Sequence, residues 1–207
     1  MRSTLPWLLG VAGCSALGFA LTSVAVARGW TASLDRRLKR RVHRLRDSGS
    51  RSEWARAAAW TTTPLGKPMG YLPAAAKASR DLAKAGRPEA AATIAGTAVL
   101  AALVPLVLDH VLPRRLPPWE RKEPSKHSYP SGHALQTAAL AVAGSYVVYR
   151  ERIGLRWAGA LGFGSMAAGL GRLLLDRHWT SDVIGGYFMG TTLGALTSAA
   201  YEYQLTR

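Results

Sequence analysis

Two short polar segments carry the residue types that phosphate chemistry requires. Residues 128–133 read Ser-Tyr-Pro-Ser-Gly-His and lie directly before an apolar run. Proline and serine are typical of helix starts, and Gly132 lets the backbone approach a ligand closely. Because a helix N-terminus presents unpaired N–H groups, it binds an anion well. The pattern predicts a helix that begins beside an anion, with His133 in its first turn. A plain helix cap with an interfacial histidine fits it equally.

The second segment lies at the boundary between two other apolar runs. Arg172 stands near the end of one run, where an ionisable group is costly and usually functional. His178 follows six residues later, and Asp182 follows His178 by four. A carboxylate at this spacing can hydrogen-bond one imidazole nitrogen and leave the other free to attack. The alternative is a membrane-boundary cluster of Arg, His and Trp, which is common.

Taken together, the two segments are much more specific than either alone. The order is Pro-Ser-Gly-His at 130–133, then Arg172, His178 and Asp182 as Arg-x5-His-x3-Asp. This order resembles the second and third motifs of the type 2 phosphatidic acid phosphatase superfamily, in its membrane lipid phosphatase branch. The resemblance extends over about residues 90–200. Gly171 stands where the third motif has serine.

The first motif of that family, Lys-x6-Arg-Pro, is not preserved. It is expected just after the preceding span, where residues 109–118 read Asp-His-Val-Leu-Pro-Arg-Arg-Leu-Pro-Pro. Arg114 and Arg115 are the candidates for the missing arginine, and Lys122 or Lys126 for the cation that reaches the phosphate. The departure leaves weakened activity, an unusual substrate preference and lost activity as open outcomes.

The resemblance implies a two-step displacement through a phosphohistidine. His178 would attack phosphorus while Asp182 holds its tautomer. His133 would protonate the leaving oxygen and then help to activate water.

The resemblance also implies a cradle for the substrate phosphate. Arg172 would grip the equatorial oxygens as a planar fork. The backbone N–H groups of Ser131 and Gly132, with the serine hydroxyl, would complete the cradle. Fixed cations would then do what magnesium does elsewhere. No Asp/Glu pair or His/Cys cluster in the sequence supplies a metal site, so we expect neither metal nor cofactor.

The elements that must position these residues are long uncharged runs. The runs are Leu5–Ala27, 90–108, 134–149, 157–171 and 183–201. A spanning helix needs ~20 mostly apolar residues, and ~17 suffice with suitable flanks. An apolar content of 48% excludes disorder, and a single cysteine excludes a disulfide scaffold. We expect an all-α integral membrane helical bundle with five firm spans and a possible sixth. The 23-residue first run favours a retained span over a cleaved signal.

The region 28–88 is strongly basic, with 15 Lys plus Arg. Leu34, Leu38 and Val42 recur at helical spacing among arginines, which predicts a basic amphipathic helix ended by Gly49. It most simply lies on an anionic membrane surface; nucleic-acid binding lacks an accompanying motif. Residues 54–76 fit a degenerate sixth span, a re-entrant piece or an interfacial helix.

Charge counting sets the expected topology. If 54–76 does not span, 19 basic residues lie on one side of the membrane and seven on the other, which obeys the positive-inside tendency. This predicts a multi-pass cell-membrane protein with its site on the extracytoplasmic face. The expected organisation is a first transmembrane helix at 1–27, a basic interfacial region at 28–88 and a phosphatase-like membrane core at 89–207.

The expected function is a metal-independent phosphatase or diphosphatase acting on a membrane lipid phosphate. Candidates are undecaprenyl pyrophosphate and other isoprenyl diphosphates, phosphatidic acid and phosphatidylglycerol phosphate. The expected partners are the lipid bilayer and the lipid substrate, without nucleic acid; the sequence does not indicate an oligomeric state. A phosphotransferase of the same chemistry, and a non-catalytic phospholipid-binding protein with a decayed site, are the alternatives. A vanadate-dependent oxidase fits least.

Overall fold

The computed structural model describes residues 4–46, 51–112 and 128–207. These ranges form eight α-helices and one turn of 3-10 helix, and contain no strand. The helices are α1 Leu5–Ala27, α2 Ala32–Arg46, α3 Arg51–Thr61, α4 Pro68–Lys84, α5 Pro88–Val111, α6 Gly132–Arg150, α7 Leu155–Leu174 and α8 Thr180–Leu205. The expected all-α bundle is confirmed.

Each of the five apolar runs forms one helix: α1, α5, α6, α7 and α8. By length and composition, α1 and α5 are able to cross a membrane. The crossing of α6, α7 and α8, and hence the count of five spans, stays a prediction. Large apolar side chains on α7 such as Leu155, Phe163 and Met166 are exposed. Exposed apolar side chains of this size suit contact with lipid.

Glycines on α8 bring that helix into direct contact with the backbone of α6. A Cβ at Gly190 would lie 2.3 Å from the Leu135 carbonyl oxygen, and Gly186 and Gly194 face α6 in the same way. Small residues spaced four apart allow such close helix approach. The packing therefore fixes the start of α6 beside the start of α8, and each start carries one of the polar segments.

The helix bundle has two ends that can be named by their contacts. At the Tyr129 end, the Tyr129 hydroxyl hydrogen-bonds Ser23 Oγ of α1 at 2.9 Å. At the Glu202 end, the Glu202 carboxylate accepts a hydrogen bond from the Tyr146 hydroxyl at 2.8 Å and pairs with Arg150 Nε at 2.9 Å. The start of α5 also lies at the Glu202 end, because Arg87 Nε pairs with Glu151 at 3.2 Å.

Helix α2 forms as predicted, but it lies at the Tyr129 end. The Ser181 backbone N–H and hydroxyl donate to the buried Asp35 carboxylate at 3.0 and 2.9 Å. His43 Nε2 lies 2.7 Å from Asp176 Oδ1. From the sequence we expected α2 and the segment 176–182 on opposite faces of the membrane, and that expectation was wrong. The charge count put α2 on the membrane surface away from the site, whereas Asp35 and His43 dock it onto the α7–α8 connection.

The ambiguous region 54–76 is not one continuous helix. Helix α3 ends at Thr61, a 3-10 turn covers Pro64–Gly66, and α4 begins at Pro68. Gly66 lies against His133 at the Tyr129 end. Since α4 leads from there to Arg87 at the Glu202 end, the chain runs the length of the bundle between α2 and α5. This favours the degenerate sixth span among the three alternatives. A crossing of the membrane by α4 stays a prediction.

Candidate functional site

The start of α6 is tied to the start of α8 through Ser131. Ser131 is the N-cap of α6, and its hydroxyl accepts a hydrogen bond from the Ala134 N–H at 3.5 Å. Its own N–H donates to the Asp182 carbonyl at 2.9 Å. The Ser131 N–H that the family resemblance implies for the phosphate cradle is therefore bonded within the protein. Among the described residues, a Cβ at Gly132 would meet only Pro105, at 3.9 Å, so these residues leave space beside the first residue of α6.

Arg172 is buried at the end of α7, and its guanidinium joins two parts of the site. The NH1 group donates to His133 Nε2 at 3.4 Å. The NH2 group donates to the Ala59 carbonyl at 3.3 Å and to the Thr63 hydroxyl. Nε is buried and has no acceptor among the described residues. The expected proximity of Arg172 and His133 is thus present in the structure.

His178 lies in the connection between α7 and α8, with its Nδ1 2.8 Å from the Ser128 carbonyl oxygen. A carbonyl can only accept a hydrogen bond, so Nδ1 carries the proton and Nε2 carries the lone pair. Asp182 Oδ2 lies 3.7 Å from the same Nδ1 and accepts a hydrogen bond from the Trp179 N–H at 2.8 Å. The tautomer is therefore set by Ser128, with Asp182 as a nearby charge and a cap of α8. From the sequence we expected Asp182 in that orienting role.

Residues 59–66 form a wall of the site that the sequence analysis did not assign. A Cβ at Gly66 would lie 2.5 Å from His133 Cδ2, so only glycine lets the 3-10 turn pack on this ring. Thr63 and Ala59 hold Arg172 from the same side. The side chains of Lys67, Arg172 and His178 all act electrostatically on His133. The sequence feature that could have indicated this turn is the run Thr-Thr-Thr-Pro-Leu-Gly-Lys-Pro at 61–68, which interrupts a helical pattern.

Helix α2 borders the site on another side. Lys39 Nζ lies 5.4 Å from the centre of the Trp179 ring, a distance typical of a cation–π contact. Asp35, Lys39 and His178 line one small cleft beside the α7–α8 connection. The basic helix is therefore part of the surroundings of His178.

Three predicted phosphate-binding residues, Arg114, Arg115 and Lys126, lie outside the described residues, as does Lys122. Their roles stay predictions. Within the described ranges, no three His, Cys, Asp or Glu side chains group as they would around a metal ion. Metal independence also stays a prediction.

A model of the PAP2 superfamily matches residues 90–205. The chain belongs to the PAP2 superfamily. The matched region contains His133, Arg172, His178 and Asp182, the residues on which the sequence resemblance rested. The predicted family is confirmed, although the region 28–67 that contributes to the site lies outside the match to this superfamily.

The fold is similar to the crystal structure of a transmembrane PAP2-type phosphatidylglycerolphosphate phosphatase from Bacillus subtilis. The TM-score is 0.75 at 18% sequence identity, and the similarity covers 95% of this chain and 98% of that one. At this identity the similarity shows a shared fold and no more. No curated protein sequence matches the chain.

Proposed function

We propose that this PAP2 protein is a metal-independent phosphatase or diphosphatase of membrane lipids that works through a phosphohistidine at His178. The observation that carries the proposal is the orientation of His178. Its Nδ1–H is directed to the Ser128 carbonyl, so Nε2 is the nucleophilic nitrogen. Membership in the PAP2 superfamily supports a phosphatase.

In the first step, His178 Nε2 attacks the substrate phosphorus and the bond to the leaving oxygen breaks. His133, which takes up a proton on Nε2 once the substrate phosphate has displaced Arg172 NH1, gives that proton to the leaving oxygen. In the second step, water attacks the phosphohistidine, the P–N bond breaks, and the water proton passes to His133. Inorganic phosphate leaves, and His178 returns to its starting tautomer.

Arg172 links substrate binding to the state of His133. Its NH1 group donates to His133 Nε2, and the same NH1 group is able to donate to a substrate phosphate. A phosphate that accepts from Arg172 replaces that contact and frees His133 Nε2 to take up and deliver a proton. The buried Nε–H offers a further donor to an equatorial oxygen.

A lipid substrate is favoured by the surface of the helices. Large apolar side chains are exposed along α1 and α5, including Leu17, Leu21, Leu103 and Leu106. A substrate chain can stay in the bilayer while the phosphate reaches the Tyr129 end. We propose undecaprenyl pyrophosphate, phosphatidic acid and phosphatidylglycerol phosphate as the candidates; the similar Bacillus subtilis protein is named for the last of these.

The proposed location is the cell membrane. The count of basic residues no longer supports an extracytoplasmic site, because it assumed that the basic residues of α2 lie on the membrane side opposite the site. With α2 at the Tyr129 end, the nine basic residues between 28 and 51 join the side of the site. The orientation therefore needs a direct labelling experiment.

The function is tested by measuring phosphate release from the three lipids by purified protein in detergent, with EDTA and without magnesium. His178→Asn is the variant of choice, because its amide can still donate to the Ser128 carbonyl but cannot attack phosphorus. We expect release by the wild type and a loss of at least ~10³-fold in the variant. Release that persists in His178→Asn would refute the proposed nucleophile. If folded wild-type protein releases no phosphate, the phosphotransferase and the protein with a decayed site become the favoured alternatives. An assay that supplies a lipid acceptor for the phosphate distinguishes these two.

A further inference from the structure

Part of the candidate site comes from a segment that the family match does not include. The match begins at residue 90, whereas Ala59, Thr63 and Gly66 contact Arg172 or His133. The segment runs from the last turn of α3 into the 3-10 turn before α4. Its contacts with Arg172 are hydrogen bonds to a buried charged group.

The Thr63 hydroxyl is bonded on both of its sides. It accepts from Arg172 NH2 and donates to the Ala59 carbonyl at 3.3 Å. The same carbonyl accepts from Arg172 NH2 at 3.3 Å. Arg172 NH2 thus makes both of its hydrogen bonds to the C-terminal end of α3 and the residues directly after it. Because one nitrogen of the planar guanidinium donates to two separate acceptors, the guanidinium has little freedom to rotate.

The fixed plane determines which donors Arg172 offers to a ligand. Arg172 is only 4% exposed, and its Nε has no acceptor among the described residues. A buried charged donor without a partner is costly unless a ligand supplies the acceptor. Nε and the NH1 group near His133 are therefore the edge that a phosphate would meet.

We propose that Thr63 is a positioning residue that sets the plane of Arg172 for the substrate phosphate. The proposal rests on the phosphatase function proposed above. The Thr63 hydroxyl acts through Arg172, and the Thr63 backbone also hydrogen-bonds His133. Substrate binding and turnover therefore depend on a residue outside the matched PAP2 region.

The chain offers a matched control for the Thr63 hydroxyl. Thr61, Thr62 and Thr63 each donate to a carbonyl three or four residues earlier: Thr61 to Ala58 and the other two to Ala59. Thr61 is exposed, and its hydroxyl bond stays within α3. Thr61→Val therefore removes a comparable local hydrogen bond without touching Arg172.

The first test compares Thr63→Val, Thr63→Ser and Thr61→Val in the phosphate-release assay. We expect Thr63→Val to lower kcat/KM about 10- to 100-fold, because Arg172 NH2 loses one of its acceptors. Thr63→Ser should stay within about 3-fold of wild type, and so should Thr61→Val. Thermal unfolding in detergent should stay unchanged for the serine variant. Equal kcat/KM for Thr63→Val and Thr61→Val would overturn the proposal, as would a serine variant that is as impaired as the valine variant.

The second test separates positioning from a general loss of stability. In an Arg172→Ala background, Thr63→Val should cause no further decrease in kcat/KM, because Thr63 acts through the arginine. A full additional decrease in the double variant would overturn the proposal.

A third measurement does not depend on turnover. Binding of inorganic phosphate, measured by calorimetry, should weaken at least ~5-fold in Thr63→Val and stay unchanged in Thr61→Val. Unchanged phosphate binding in Thr63→Val would overturn the positioning role. If the lipids are not hydrolysed but phosphate binding weakens as expected, the proposed function fails while the role of Thr63 stands.

Discussion

At the scale of residues, the proposed mechanism uses two histidines whose surroundings differ. His178 has its Nδ1 against a backbone carbonyl, which leaves Nε2 for attack. His133 has its Nε2 against the Arg172 guanidinium, which an incoming phosphate can displace. The same side-chain type can therefore act as nucleophile in one position and as acid and base in the other.

Gly66 provides a residue-scale prediction about His133. A methyl group added at Gly66 would lie 2.5 Å from His133 Cδ2, so Gly66→Ala must displace the ring. We expect phosphate release to fall by at least ~10-fold, because a misplaced proton donor loses most of its contribution. Gly96→Ala on α5 is the control, since a Cβ there has no neighbour within 4 Å in the described part of the chain. Equal activity of the two variants would show that the contact of Gly66 with His133 has no role in activity.

Residue spacing predicted the family, because the motifs are local in sequence. The roles of His133, Arg172, His178 and Asp182 stay predictions. The orienting partner of His178 was not predictable from the residues within its own motif. Ser128 lies 50 residues earlier and contributes a backbone carbonyl, a group that every residue carries. A contact of this kind leaves no side-chain pattern in the sequence.

At the scale of elements, α2 holds the connection that carries His178. The Asp35 carboxylate accepts from the backbone and side chain of Ser181 at the start of α8. An anionic group is stabilising there, because a helix N-terminus carries a positive partial charge and unpaired N–H groups. The amphipathic pattern predicted the helix itself, but the partner of its inner face depends on how the bundle packs.

Asp35 therefore provides an element-scale prediction. Asp35→Ala leaves two buried donors of Ser181 without this acceptor, which costs ~1–3 kcal/mol of stability. We expect a lower thermal unfolding midpoint and reduced phosphate release, because the position of His178 loosens with α2. Asp81→Ala, at an exposed carboxylate paired with Lys77 on α4, is the control and should change neither quantity. An Asp35→Ala protein as stable and active as the control would contradict the anchoring role of α2.

At the scale of the whole molecule, α1 and α4 run between the two ends of the bundle in opposite directions. Helix α1 leads to the Tyr129 end, and α4 returns to the Glu202 end before α5 begins. The charge pattern alone predicted that 28–88 stays on one side. The contact of α2 with Ser181 contradicts the part of this prediction that concerns α2, whereas a membrane crossing by α4 stays a prediction.

The topology is tested with two single cysteines in a Cys14→Ser background. Ser33→Cys lies on exposed α2, and Ala85→Cys lies in the exposed connection between α4 and α5. We expect an impermeant thiol reagent to label one of them in intact cells and the other only in opened cells. Labelling of Ser33→Cys also reports on which side of the membrane the site lies, because α2 contacts Ser181. Labelling of both positions from the same side would contradict the path of α4.

The central claim is that phosphate passes through His178. It is tested most directly by mixing the purified protein with a ³²P-labelled lipid from the panel and quenching in alkali, in which phosphohistidine survives. The account predicts an early labelled protein whose label is lost in acid, maps to His178 and is absent from His178→Asn. Phosphate release by the wild type with no labelled protein, or with the label on another residue, would contradict it.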